Sequence, residues 1–188
     1  TTARAVLRMR ASMVGGPAGN VDDLNRLLTQ DTAETGRFVT LFYLSMEPSP
    51  DAGRPGRMRW VRAGHDPALV YDPATGEFME LSDGGVPLGI IGDVAYEEFT
   101  FDGMAGGQVV ALGTDGIWEA RNRDGEMFGK GRLRRIIRDK ADRPAREIVE
   151  AVLEELWAFR RGVAAEDDVT LVVVRVTGDN PLTCPELV

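Results

Sequence analysis

Between residues 38 and 112 the sequence holds six short runs of strand-forming character, and no helical repeat interrupts them. They are Phe38–Leu44, Met58–Arg62, Ala68–Tyr71, Glu77–Leu81, Ala95–Phe101 and Gln108–Leu112. Turn-forming strings separate them, among them Asp72-Pro73-Ala74-Thr75-Gly76, and Glu47 to Arg57 reads as a flexible hairpin loop. Such connections join antiparallel neighbours, because a parallel pair needs a crossover of about a dozen residues or more. Helical periodicity is confined to the two ends. Thr1 to Met13 sets Ala3, Val6, Leu7 and Met13 against interleaved arginines, and a second helix, capped by Asn20 or Asp22, carries Val21, Leu24, Leu27 and Leu28. Later, Leu133, Ile136 and Ile137 mark a helix over Gly131–Lys140. Pro144 suits the start of another, with an apolar stripe from Ile148 to Trp157. A block of strands with helices outside it predicts an α+β layered fold, not alternating βαβ units.

Two acidic motifs adjoin the last strands. Gly113-Thr114-Asp115-Gly116 follows the apolar run Val109 to Leu112, and Glu166-Asp167-Asp168 precedes Val169 to Val176. Asp115 thus stands at the exit of one strand and Asp167 at the entrance of another. If the two strands pair antiparallel, both carboxylates reach one sheet edge. Converging oxygens are what a hard divalent cation requires. Asp-Gly is also a common turn dipeptide, and acidic residues often end strands, so a turn reading stands beside the metal reading at this point.

Composition narrows the function. A net charge of −8 and a pI near 4.8 argue against nucleic-acid binding, which needs a basic surface. Arg132, Arg134, Arg135 and Arg138 form one local exception on an expected helix, read as a solvated face or as a docking patch for an anionic partner. The single cysteine, Cys184, excludes an internal disulfide and fits a reducing, cytoplasmic compartment. No run approaches the length of a membrane span. The expected division is one domain over residues 1–177 and a tail over 178–188.

Six strings then fall into one order: Phe38-Val39-Thr40-Leu41-Phe42-Tyr43, Ala63-Gly64-His65-Asp66-Pro67, Val86-Pro87-Leu88-Gly89, Gly113-Thr114-Asp115-Gly116 with Glu119-Ala120, Phe128-Gly129, and Asp167-Asp168-Val169-Thr170-Leu171. In that order the chain resembles the metal-dependent type 2C (PPM) serine/threonine phosphatases in their bacterial SpoIIE/RsbU form. The resemblance implies a β-sandwich of two antiparallel sheets flanked by helices, αββα, with two Mn2+ or Mg2+ ions at one end. It implies Asp115 and Asp167 as metal ligands, Asp168 as a supporting residue, and Gly116 as the small residue permitting the turn that aims Asp115. It implies a phosphorylated protein as substrate, a STAS-type anti-sigma-factor antagonist, and a sensor domain upstream in a parent that could be membrane-anchored. His65 reads as a hydrogen-bonded structural histidine in its turn. Gly92-Asp93-Val94 mimics a metal motif but stands in the wrong place, so Asp93 is assigned no role.

One family motif, an upstream Asp-Gly whose carboxylate bridges both metals in relatives, is not found in the sequence. The start without Met and inside a helical pattern is expected of a piece of a longer protein that carries it. A chain of this kind alone is expected to bind metal weakly and to turn over poorly or not at all. The competing readings are a catalytically silent binding module on the same fold and an unrelated carboxylate-metal hydrolase such as a nuclease, against which the net acidity weighs.

Overall fold

Why the chain breaks into strands where it does is clearest at Gly56–Ala63, where Met58, Trp60, Val61 and Ala63 are buried while the interspersed Arg57, Arg59 and Arg62 keep contact with solvent. The computed structural model describes residues 16–32, 36–49 and 54–177. The helix expected over Thr1–Met13 and the tail with Cys184 lie outside the described residues. In chain order the elements are α1 (Pro17–Thr32), β1 (Leu41–Glu47), β2 (Gly56–Ala63), β3 (Ala68–Asp72), β4 (Glu77–Leu81), β5 (Phe99–Met104), β6 (Val109–Gly113), α2 (Asp115–Trp118), α3 (Gly129–Asp139), α4 (Ala145–Arg160) and β7 (Leu171–Arg175). Helices and two antiparallel sheets make the fold α+β, as the pattern of runs predicts. The chain divides into two compact units, residues 1–65 with 82–104, and residues 66–81 with 105–188.

The first unit holds a three-stranded sheet in the order β1-β2-β5 and the helix α1. Its core joins Val21, Leu24 and Leu28 of α1 to Val61, Ala63, Leu88 and Tyr96. Pro17 occupies the first helical position, where its missing N–H costs nothing. The helix therefore starts earlier than a cap at Asn20 or Asp22 would allow. Those residues serve elsewhere: Asn20 is buried, and the Asp22 carboxylate accepts the Tyr96 amide at 2.8 Å. Asn25, fully buried, donates to the Ile91 carbonyl at 2.8 Å and accepts the Gly89 amide at 2.9 Å. Asn25→Ala orphans both backbone groups, and a chemical-denaturation curve should show a loss of about 2 kcal/mol.

Strand β1 begins three residues later than expected, at Leu41. Phe38 is 58% exposed, and Val39 instead bridges Leu88 through two backbone hydrogen bonds. Gly64, in the Ala63–Pro67 corner, has φ +68° and a Cβ position that would overlap the Pro87 ring, so only glycine fits there. The His65 ring meets Phe42 edge-on, with centroids 6.3 Å apart, and its carbonyl accepts from Arg62 at 2.9 Å.

The second unit holds a four-stranded sheet in the order β4-β3-β6-β7 with α2, α3 and α4. Val109, Ala111, Leu69 and Tyr71 of the sheet pack with Leu133, Ile136 and Ile137 of α3 and Ile148, Val152 and Leu156 of α4. Each fully buried Leu or Ile contributes about 1.5–3 kcal/mol. Trp157, expected in that stripe, is 62% exposed, so the buried face of α4 is narrower than the apolar pattern suggests. The arginines of α3 turn out to be structural struts. Arg134 pairs with Glu80 of β4 and Arg135 with Glu155 of α4. Arg132 donates to the Phe128 carbonyl at 2.7 Å and lies 4.5 Å from the Phe159 ring centre, and Arg138 lies 5.5 Å from that of Phe78. The cluster binds α3 to its neighbours within the unit.

Candidate functional site

Strand β6 pairs antiparallel with β7, and Gly113, the last residue of β6, stands opposite Leu171, the first of β7. The exit of one strand is therefore beside the entrance of the other. Thr114 ties together the two segments that leave this edge. Its amide donates to the Thr170 carbonyl at 3.1 Å, and its hydroxyl donates to the Asp168 carbonyl at 2.9 Å. The same hydroxyl accepts the Thr170 amide at 3.0 Å. A hydroxyl can donate and accept at once, which is what this position demands. These bonds also explain why β7 starts two residues after Val169.

Asp115 opens α2, a single turn anchored by the fully buried Ile117. Gly116 follows. A Cβ built there would lie 2.5 Å from the Asp168 carbonyl oxygen and 3.1 Å from its carbon. The absence of a side chain lets the Asp167-Asp168 backbone pass against the helix. The Asp167 carboxylate accepts the Asp168 amide at 2.7 Å, which fixes its root. Beneath α2 the Trp118 ring lies 4.7 Å from the Lys130 ammonium, itself 3.0 Å from the Asp66 carboxylate.

Asp115 and Asp167 line one cleft of about 240 Å³, together with Gly116, Glu119, Arg121 and Arg160. Glu166 lines it too. Asp168 meets the site through its backbone, as the acceptor of the Thr114 hydroxyl. Thr114 belongs to the string that marked Asp115, but its bridging role depends on register across two strands and has no signal in spacing. Arg121 and Arg160 were likewise not singled out in the sequence, since a hairpin and a helix end bring them to the cleft from positions far apart in the chain.

The oxygen-only chemistry of Asp115 and Asp167 suits a hard cation such as Mg2+ or Mn2+. Among the described residues no group of three or more His, Cys, Asp or Glu side chains is arranged to hold a metal ion.

This α+β architecture is that of PP2C phosphatase domains. The SiaA-PP2C domain of Pseudomonas aeruginosa matches with a TM-score of 0.74 at 22% identity, over 92% of this chain and 67% of that one. The RsbU and RsbW domains of a Mycobacterium tuberculosis protein match with a TM-score of 0.72 at 23% identity, over 96% and 47%. The chain belongs to the Stage II sporulation protein E (SpoIIE) family, whose model matches residues 1–177. Among curated relatives, the phosphoserine phosphatase RsbU of Bacillus subtilis is 26% identical over 159 residues, which is 85% of this chain and 45% of that protein. The chain spans less than half the length of that relative. Among the described residues no helix is long and apolar enough to cross a membrane.

Proposed function

We propose that this chain is the catalytic module of a metal-dependent phosphatase acting on phosphoserine or phosphothreonine of a protein. The observation that carries the reading is the placement of Asp115 and Asp167, from adjacent strand ends, on one cleft of a PP2C-type fold. In this reading the two carboxylates hold Mn2+ or Mg2+, Gly116 and the Asp168 backbone keep them in register, and Thr114 fastens the edge. When bound, such an ion supplies Lewis acidity toward phosphoryl oxygens and acidifies water at neutral pH. The chain's own part is to position the charge and to admit a phosphorylated side chain. No protein nucleophile is required.

The substrate we propose is a small STAS-type anti-sigma-factor antagonist, a reading supported by the likeness to RsbU and by the family. The test is phosphate release from a phosphoserine protein, for this chain and for the same chain within a longer parent. Mn2+ should switch release on, EDTA should abolish it, and added Mn2+ should restore it. Release that ignores EDTA would sink the metal reading. A silent binding module on the same fold is the second reading. Binding of the phosphorylated partner without turnover in either form would establish it.

A further inference from the structure

Several arginines of the second unit stand in ion pairs. Arg134, Arg135, Arg143 and Arg146 each have a carboxylate partner within it. Arg121 and Arg160 are set apart by their position. Both line the cleft that Asp115, Glu119, Glu166 and Asp167 also line. Yet among the described residues neither forms an ion pair, although four carboxylates border the same space. Each is instead tethered to a backbone carbonyl, Arg121 to Gly125 and Arg160 to Val163, both at 2.8 Å.

Both tethers end in turns. The Gly125 carbonyl belongs to a tight loop in which the Asn122 side chain accepts the amides of Asp124 and Glu126 at 3.0 and 2.9 Å. The Val163 carbonyl follows a left-handed turn at the end of α4, with Arg161 at φ 48° and Gly162 at φ 83°. A guanidinium beside carboxylates would ordinarily gain by closing onto one of them. These two are held by one donor each, which leaves most of a five-donor planar fork for a ligand. That fork matches two oxygens of a phosphate. The charge argument agrees: a dianionic phosphoryl group entering a cleft edged by four carboxylates needs cations on its wall.

We propose that Arg121 and Arg160 form the phosphate-recognition wall of this cleft, holding the phosphoryl group of the substrate beside the Asp115–Asp167 pair. The assignment rests on the phosphatase reading for its substrate, but phosphate binding tests it independently.

Inorganic phosphate is titrated into the wild-type protein and into the Arg121→Ala, Arg121→Lys, Arg160→Ala and Arg160→Lys variants in the presence of Mg2+, by calorimetry. Arg146→Ala, altering an exposed pair with Glu150, is the control. Thermal midpoints accompany each titration, so that unfolding is not mistaken for lost binding. Each alanine variant should bind phosphate about tenfold more weakly or worse, with partial recovery in the lysine variants, and KM for a phosphoserine peptide should rise in step. Wild-type affinity in both alanine variants, or no phosphate binding by the wild type, overturns the assignment. Phosphate binding that depends on the arginines, without peptide turnover by this chain or by the same chain within a longer parent, upholds it and removes the phosphatase reading. Turnover with KM and phosphate affinity unchanged in the variants does the reverse.

Discussion

Asp115→Asn is expected to lower Mn2+-dependent phosphate release by more than about 100-fold while leaving the fold in place. The two effects separate because their magnitudes differ. Asp115 is exposed at the first position of α2, where losing its charge forfeits about 0.3–1 kcal/mol of interaction with the helix N-terminus. A stability change of that size leaves most molecules folded. The amide keeps the shape of the carboxylate but neither its charge nor its two equivalent acceptor oxygens. Second-shell substitutions around metal sites already cost about 10–100-fold, so a lost ligand should exceed that range. Calorimetric Mn2+ affinity, phosphate release and a melting curve measured on one preparation would check the prediction. Release within a few-fold of wild type would remove Asp115 from the ligand set.

The second large effect is expected from Gly116→Ala, and its sign runs against helix propensity. In an ordinary helix, exchanging glycine for alanine gains about 1 kcal/mol. Here the added carbon would lie 2.5 Å from the Asp168 carbonyl oxygen, closer than real contacts allow, and the obstacle is backbone that cannot swing aside. Overpacking of this kind costs about 1–3 kcal/mol, so the clash outweighs the propensity gain. Relief must come from moving α2 off the Asp167-Asp168 segment, which also stretches the Thr114 hydrogen bonds. Gly116→Ala should therefore lose both stability and Mn2+ affinity, whereas Asp115→Asn loses affinity with stability nearly intact. A glycine variant with an unchanged melting point and unchanged Mn2+ binding would show that the segment has room to yield.

Much of this could be read in the chain beforehand, for a physical reason. Antiparallel strands with tight turns advertise themselves locally, so β2, β3, β4 and β6 lie close to their runs. The juxtaposition of Asp115 and Asp167 followed from one inference, that β6 and β7 pair antiparallel. What eluded the sequence depends on contacts distant along the chain. Phe38 and Val39 look like strand but bridge the Leu88 loop. Ala95–Phe101 gives way to a strand starting at Phe99, because Tyr96 is drawn to Asp22. The arginines of α3 read as a solvated face or a docking patch; Arg135 and Arg138 are indeed exposed, but their partners on neighbouring elements had no local signal, and Arg121 and Arg160 carried no pattern at all.

The hydroxyl of Thr114 and the carbonyl of Asp168 that it contacts are 54 residues apart in sequence. The three hydrogen bonds by which Thr114 fastens the edge all span that separation or one close to it. Closing so long a loop is entropically costly and slows folding relative to local contacts. The two carboxylates therefore share a cleft only in a chain in which β7 has docked on β6. In the proposed function, activity is thereby tied to completion of this sheet, and a molecule with β7 undocked would carry the acids without the cleft.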